Sequence, residues 1–148
     1  EQTNNLDAIF APIGGGGLIS GTALAASYFS KAKVYGGEPE GADDAYRSFK
    51  NGKLILMNNP NTIADGLRTS LGDKGYGIIK KYVSDIFTVN DDEIIDAMRV
   101  VWERMKIIIE PSSAVPLAAI VKNKELFKNK CVGLIVSGGN VDVKSLPF

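Results

Sequence analysis

Leu6-Asp7-Ala8-Ile9-Phe10-Ala11-Pro12-Ile13-Gly14-Gly15-Gly16-Gly17, followed by the Ala-rich, proline-free run 18–30, is the stretch that decides the fold. The first eight residues read as a buried strand and the run after the glycines as a helix. Four residues without Cβ let the backbone approach a ligand closely and adopt positive φ. The unpaired N–H groups at the helix start, backed by the positive end of its dipole, then form a cradle for an anion, best suited to a phosphate. Two other phosphate loops fail on spacing. A Walker loop needs Gly-Lys-Ser/Thr after a four-residue gap, but Thr22 follows Gly21. A G-x-G-x-x-G fingerprint would place its last glycine at Ile19 or Ser20. Glu38, at the end of the next strand, stands where a ribose-binding acid would lie, so a dinucleotide stays open at this point, as does a loop that serves only close strand–helix packing.

Working outward, short apolar runs alternate with helical patterns. Strands are expected at 6–13, 33–37, 85–89 and 131–136, and helices at 18–30, 43–50, near 74–83 and 91–105. A further helix is opened by Ser112 or Ser113, with Pro116 in its first turn. The helix at 91–105 has a capping box, Asn90 with Glu93, and an apolar stripe of Ile94, Met98, Val101, Trp102 and Met105 read as core. Such alternation predicts an α/β fold with a mostly parallel sheet flanked by helices. Ligands bind beyond the carboxyl ends of such strands. Gly14–Gly17 lies at one such end and Ser137-Gly138-Gly139-Asn140 at another, so one pocket built from both turns is expected.

Composition narrows the chemistry. The 148 residues balance 17 Lys+Arg against 17 Asp+Glu, with no basic run longer than Lys80-Lys81. That argues against nucleic acid or an anionic membrane as partner. No apolar stretch approaches transmembrane length and no signal peptide is visible. The chain has no histidine, which removes His-based triads and the commonest zinc ligand. Cys131, the one cysteine, fits a reducing compartment and, opening an apolar run, reads as buried. Glu1-Gln2-Thr3-Asn4-Asn5 reads as the tail of a preceding helix.

Gly14-Gly15-Gly16-Gly17-Leu18, Ile63-Ala64-Asp65-Gly66, Ile109-Glu110-Pro111-Ser112 and Ser137-Gly138-Gly139-Asn140 together resemble the fold-type II pyridoxal-phosphate enzymes. Within them the likeness is to the serine racemase group, with threonine/serine dehydratases as near kin. The resemblance implies that Gly14, Gly15, Gly16, Gly17 and the Leu18 amide hold the cofactor phosphate, and that Ser137 hydrogen-bonds the pyridine nitrogen. A neutral hydroxyl can donate to an unprotonated nitrogen, leaving the ring a weaker electron sink than a facing carboxylate would. That suits reprotonation or loss of a β-hydroxyl over transamination. The resemblance also implies a divalent cation (Mg²⁺, Ca²⁺ or Mn²⁺) on Glu38, the Ala42 carbonyl and Asp44. These are hard oxygen donors of the right kind; equally, acids at a helix start are favourably placed without any metal. Asp65, Gly66 and Glu110 would lie near the cofactor, and Lys106 and Asn140 would match positions that touch an activating nucleotide such as ATP.

The family's Schiff-base lysine belongs to Ser-Phe/Tyr-Lys-x-Arg-Gly, ahead of the glycine loop. Ser48-Phe49-Lys50 is followed by Asn51-Gly52-Lys53 instead and comes after the loop, so Lys50 reads as a surface lysine. Residues 1–148 are therefore expected to be the C-terminal part of the large cofactor domain. The lysine, the small domain and the remaining catalytic groups would lie in an N-terminal half outside this chain, and no catalytic residue is assigned within it. The resemblance implies a cytoplasmic homodimer acting on serine or threonine, inactive as the isolated piece. The activity the resemblance implies for the whole protein is interconversion of L- and D-serine with accompanying loss of water from serine; the alternatives are a threonine/serine dehydratase and a non-catalytic module that binds a phosphate ligand.

Overall fold

The computed structural model describes residues 5–148; the reading of residues 1–5 as a helix tail lies outside them except for Asn5, which is not helical. Four strands, β1 (Ala8–Pro12), β2 (Lys33–Pro39), β3 (Val83–Val89) and β4 (Val132–Leu134), form one all-parallel sheet in the order β3-β2-β1-β4. Five α-helices accompany it: α1 (Gly17–Phe29), α2 (Asp44–Asn51), α3 (Asp73–Tyr82), α4 (Asp91–Val100) and α5 (Pro111–Lys122). Parallel strands need crossovers, and helices in those crossovers cover the two faces of the sheet. Along β1 the alternation is visible: Ala8 and Phe10 join the α4–α5 side of the core, while Ala11 and Ile13 join the α1–α3 side.

Glycines set the closeness of this packing. A Cβ at Gly36 would come within 2.3 Å of Ile13 Cδ1, and one at Gly37 within 3.3 Å of Pro116. α5 thus rests directly on β2. Stacked and edge-on rings of Phe10, Tyr35, Phe87 and Phe127 fill the same side. No helix among the described residues is long and apolar enough to cross a membrane.

Four expectations are corrected. The helix from Asp91 keeps its capping box, with Glu93 N donating to Asn90 Oδ1 at 2.9 Å, but turns π-helical over Val101–Met105. The wider turn carries Met105 off the core face, and it is 59% exposed; Lys106 then closes the element at φ 58°. Pro111, with Glu110 as N-cap, opens α5, so Pro116 falls beyond the first turn. β4 is shorter than 131–136, half-buried at the sheet edge, and Cys131 ahead of it is exposed rather than buried.

Candidate functional site

The strand order reverses at β1: the chain steps to β2 and β3 on one side, then returns to add β4 on the other. Ligand sites of open parallel sheets form at such a switch point, because the loops leaving the two adjacent strands, here β1 and β4, diverge there. The two loops are those expected from the sequence. A cleft of about 260 Å³ is lined by Gly14–Gly17 and Leu18 from the first, by Ser137 from the second, and by Gly66, Glu110 and Ser112.

The glycine loop has the makings of an anion cradle. α1 starts with no side-chain cap and no acid in its first turn, and its first backbone bond runs from Ser20 N to Gly16 O at 3.0 Å. Among the described residues, no acceptor takes the N–H groups of Gly14 to Leu18. Gly16 sits at φ 86°, where a Cβ would lie 2.5 Å from Leu71 Cδ1, and Gly72 N donates to Gly15 O at 3.3 Å. The segment 71–72 thus buttresses the loop from behind.

Across the cleft, the start of α5 and the loop after β4 are laced together. Gly138 N donates to Ser113 Oγ, Ser113 Oγ lies 2.7 Å from Gly138 O, and Ser137 Oγ is 3.1 Å from Ser113 Oγ. Glu110 N donates to Gly138 O at 3.1 Å, and Glu110 Oε2 accepts from Asn140 N at 2.9 Å. Ser112 Oγ accepts from Gly66 N at 3.1 Å. Ser112 and Ser113, both buried, are site residues to which the sequence reading gave no role there: Ser112 closed one of the four family motifs, and either was read as a helix opener. Two adjacent hydroxyls on a helix face otherwise given to core were the available signal.

Glu38 and Asp44 are both fully buried. Glu38 accepts from Ala45 N at 3.0 Å and Tyr46 N at 2.7 Å, and Asp44 Oδ2 accepts from Leu71 N at 2.7 Å. Burial pushes Glu38 up to about 9, with Asp44 and Asp43 adding to it against the two amides. Burial also raises Asp44. Asp44 Oδ1 has no donor but a proton on Glu38, and among the described residues nothing donates to the Ala42 carbonyl. Buried like this, the pair calls for a shared proton or a cation. Among the described residues there is no cluster of three or more acidic, His or Cys side chains, so a cation here would depend on the carbonyl and on water. Glu38 is sealed under α2 and cannot reach a ribose in the cleft, which disposes of the dinucleotide reading.

The remaining candidates scatter. Gly66 and Glu110 line the cleft, whereas Asp65 is exposed and lines, with Asn140, a separate groove of about 250 Å³. Lys106 is exposed and lines neither. Lys50 is exposed on α2 and pairs with Asp85 at 2.7 Å, as its surface reading requires.

Comparison with known proteins agrees with this geometry. Residues 1–138 match the family model described as pyridoxal-phosphate dependent enzyme, and the chain belongs to that family. It is similar to a β-hydroxyaspartate dehydratase of Paracoccus denitrificans (54% identity, 100% of this chain, 47% of the relative). It is similar also to a serine racemase of Dictyostelium discoideum (52% identity over 99% of this chain and 47% of the relative). The crystal structure of the Dictyostelium discoideum serine racemase superposes with a TM-score of 0.88 over 96% of this chain and 46% of that one. Maize serine racemase gives 0.90 at 42% identity, covering 97% of this chain and 45% of that one. The chain thus spans about half the length of the relatives it matches, and the fold is that of their C-terminal portion.

Proposed function

We propose that the protein containing this chain acts on a β-hydroxy-α-amino acid, racemising serine and eliminating water from it to give pyruvate and ammonia. One observation carries the reading: the N–H groups of Gly14 to Leu18, which no acceptor takes among the described residues, belong to a loop that lines one cleft together with Ser137. The cradle fits a phosphate dianion, since five N–H groups without a recorded acceptor and the start of α1 border the cleft, with no side-chain acid in the first turn. Pyridoxal phosphate, when bound, supplies the electron-withdrawing ring that acidifies the substrate α-proton. Gly14–Gly17 and Leu18 would hold the phosphate, and Gly16, at φ 86°, keeps the turn that no side chain would fit. Ser137 would donate to the ring nitrogen, and a neutral hydroxyl there would leave the ring a weaker electron sink than a carboxylate would. Holding the ring at both ends fixes the α-carbon between the groups that move protons.

A divalent cation on Glu38, the Ala42 carbonyl and Asp44 belongs to the same proposal. It is supported by the partnerless Asp44 Oδ1 and the open carbonyl. The lysine that holds the cofactor is assigned to the rest of the protein, so residues 1–148 alone are expected to give no turnover. Cytoplasmic location, a homodimer and a nucleotide activator rest on the resemblance alone. A second reading, 3-hydroxyaspartate as the substrate, is favoured by the name of the 54%-identical relative.

The test supplies the intact protein with L-serine, L-threonine and 3-hydroxyaspartate, and follows D-serine by chiral chromatography and keto acids by coupled assay. D-serine with pyruvate supports the first reading; oxaloacetate from 3-hydroxyaspartate with inert serine supports the second. No cofactor uptake and no turnover of any of them would leave a phosphate-binding module.

A further inference from the structure

A run of four glycines can hold its peptide planes in more than one orientation, because each residue reaches both signs of φ at little cost. A phosphate needs one orientation, with N–H groups forward; a plane turned over would present a carbonyl oxygen to the anion. The fold fixes one of these planes from behind. Gly72 N donates to Gly15 O at 3.3 Å, and the peptide between Gly15 and Gly16 is trans, so its N–H points the opposite way from that carbonyl. Gly15 and Gly16 line the cleft, whereas Leu71 and Gly72 do not. The Gly16 N–H therefore lies on the side away from segment 71–72, and among the described residues no acceptor takes it.

That segment is itself well anchored. Leu71 N donates to Asp44 Oδ2 at 2.7 Å, on a fully buried carboxylate. The Leu71 side chain, 2% exposed, packs under Gly16, where a Cβ would meet Leu71 Cδ1 at 2.5 Å. Gly72 O accepts from Tyr76 N at 2.8 Å and so opens α3. We infer that Gly72 is a positioning residue for the phosphate contact: with Leu71 anchored on Asp44, the Gly72 N–H holds the Gly15 carbonyl back and thereby presents the Gly16 amide to the anion. The inference rests on the phosphate reading of the glycine loop given above and adds residues outside that loop to it. Four glycines in a row carry no preference for this orientation; a segment far along the chain selects it.

The experiment strips the intact protein of cofactor and compares its affinity for pyridoxal phosphate with that for pyridoxal, which lacks the phosphate, by fluorescence titration. Gly72→Pro removes the N–H and sets the ring Cδ against Gly15 O, while the Gly72 φ of −76° already suits proline. Affinity for pyridoxal phosphate should fall roughly tenfold to a hundredfold, the worth of one charge-assisted bond, with that for pyridoxal unchanged. Gly72→Ala keeps the N–H, finds its nearest neighbour at 3.7 Å, and should retain the wild-type ratio of the two affinities. If Gly72→Pro leaves that ratio at the wild-type value, or lowers both affinities alike, the inference falls while the phosphate reading stands. An equal loss in Gly72→Ala also overturns it. A wild-type protein with no preference for pyridoxal phosphate over pyridoxal removes the phosphate reading and this one with it. Should Gly72→Pro not fold, ¹⁵N-glycine labelling of the wild-type protein decides. On binding pyridoxal phosphate the Gly16 amide proton must move downfield; an unmoved Gly16 resonance beside shifted neighbours sinks the inference.

Discussion

Replacing Gly16 by alanine puts the phosphate cradle under direct strain. At φ 86° a side chain is sterically opposed, and left-handed backbone costs a non-glycine residue about 1–2 kcal/mol. The new Cβ would also meet Leu71 Cδ1 at 2.5 Å. Leu71 is 2% exposed and tied by its N–H to Asp44, so it has little room to retreat, and overpacking of this kind costs about 1–3 kcal/mol. Together the two effects amount to about 2–5 kcal/mol, part lost from stability and part expressed as a displaced loop. Loss of one charge-assisted bond to the phosphate, about 1.5–3 kcal/mol, weakens cofactor binding roughly tenfold to a hundredfold. Gly21→Ala is the control: it lies inside α1 with nothing within 4 Å of its Cβ, and should stabilise by about 0.5–1 kcal/mol. The assay is thermal unfolding plus fluorescence titration with pyridoxal phosphate on the intact protein. A Gly16→Ala variant that matches wild type in both would refute the cradle as described.

Three further outcomes are expected. In the presence of chelator, stability should fall as pH rises from about 4.5 towards about 9. Folded Glu38 keeps a proton there that the unfolded chain has lost, at most about 1.4 kcal/mol per pH unit; Glu38→Gln should flatten this slope in urea titrations run across the range. Asp44→Ala removes the acceptor of the Leu71 N–H and should destabilise by about 1–3 kcal/mol even without metal. It should also abolish any rise in melting temperature on adding Mg²⁺, and retention of that rise would exclude Asp44 as a ligand. Gly41→Ala drives a Cβ to 1.7 Å from the Asn61 carbonyl and opposes the 2.8 Å bond from Asn61 N to Gly41 O, so a loss of about 2–4 kcal/mol is expected on unfolding.

Much of the framework was legible from local pattern. β1, the glycine turn and α1 fall within a residue or two of their expected limits, because strand, turn and helix signals there all agree. The capping box at Asn90 was equally plain, since both of its bonds are local. The far end of that helix was not: a π-helical turn keeps the same residue types but shifts their facing, so Met105 left the core unannounced. Cys131 was misread for a related reason. An apolar run tells how a segment would like to be covered, while its place at the edge of the sheet tells whether it is.

Sequence alone determined the α/β class, the anion-seeking turn and the four motifs that carry the family likeness, because each rests on neighbours along the chain. Only the tertiary structure decided which motifs share a cleft. It put Gly66 and Glu110 with the glycine loop, sent Asp65 to another groove, and sealed Glu38 away from any ribose. It also brought Ser113 against Ser137, residues 24 apart in the chain, since strand order and crossover geometry set such distances and no local pattern encodes them.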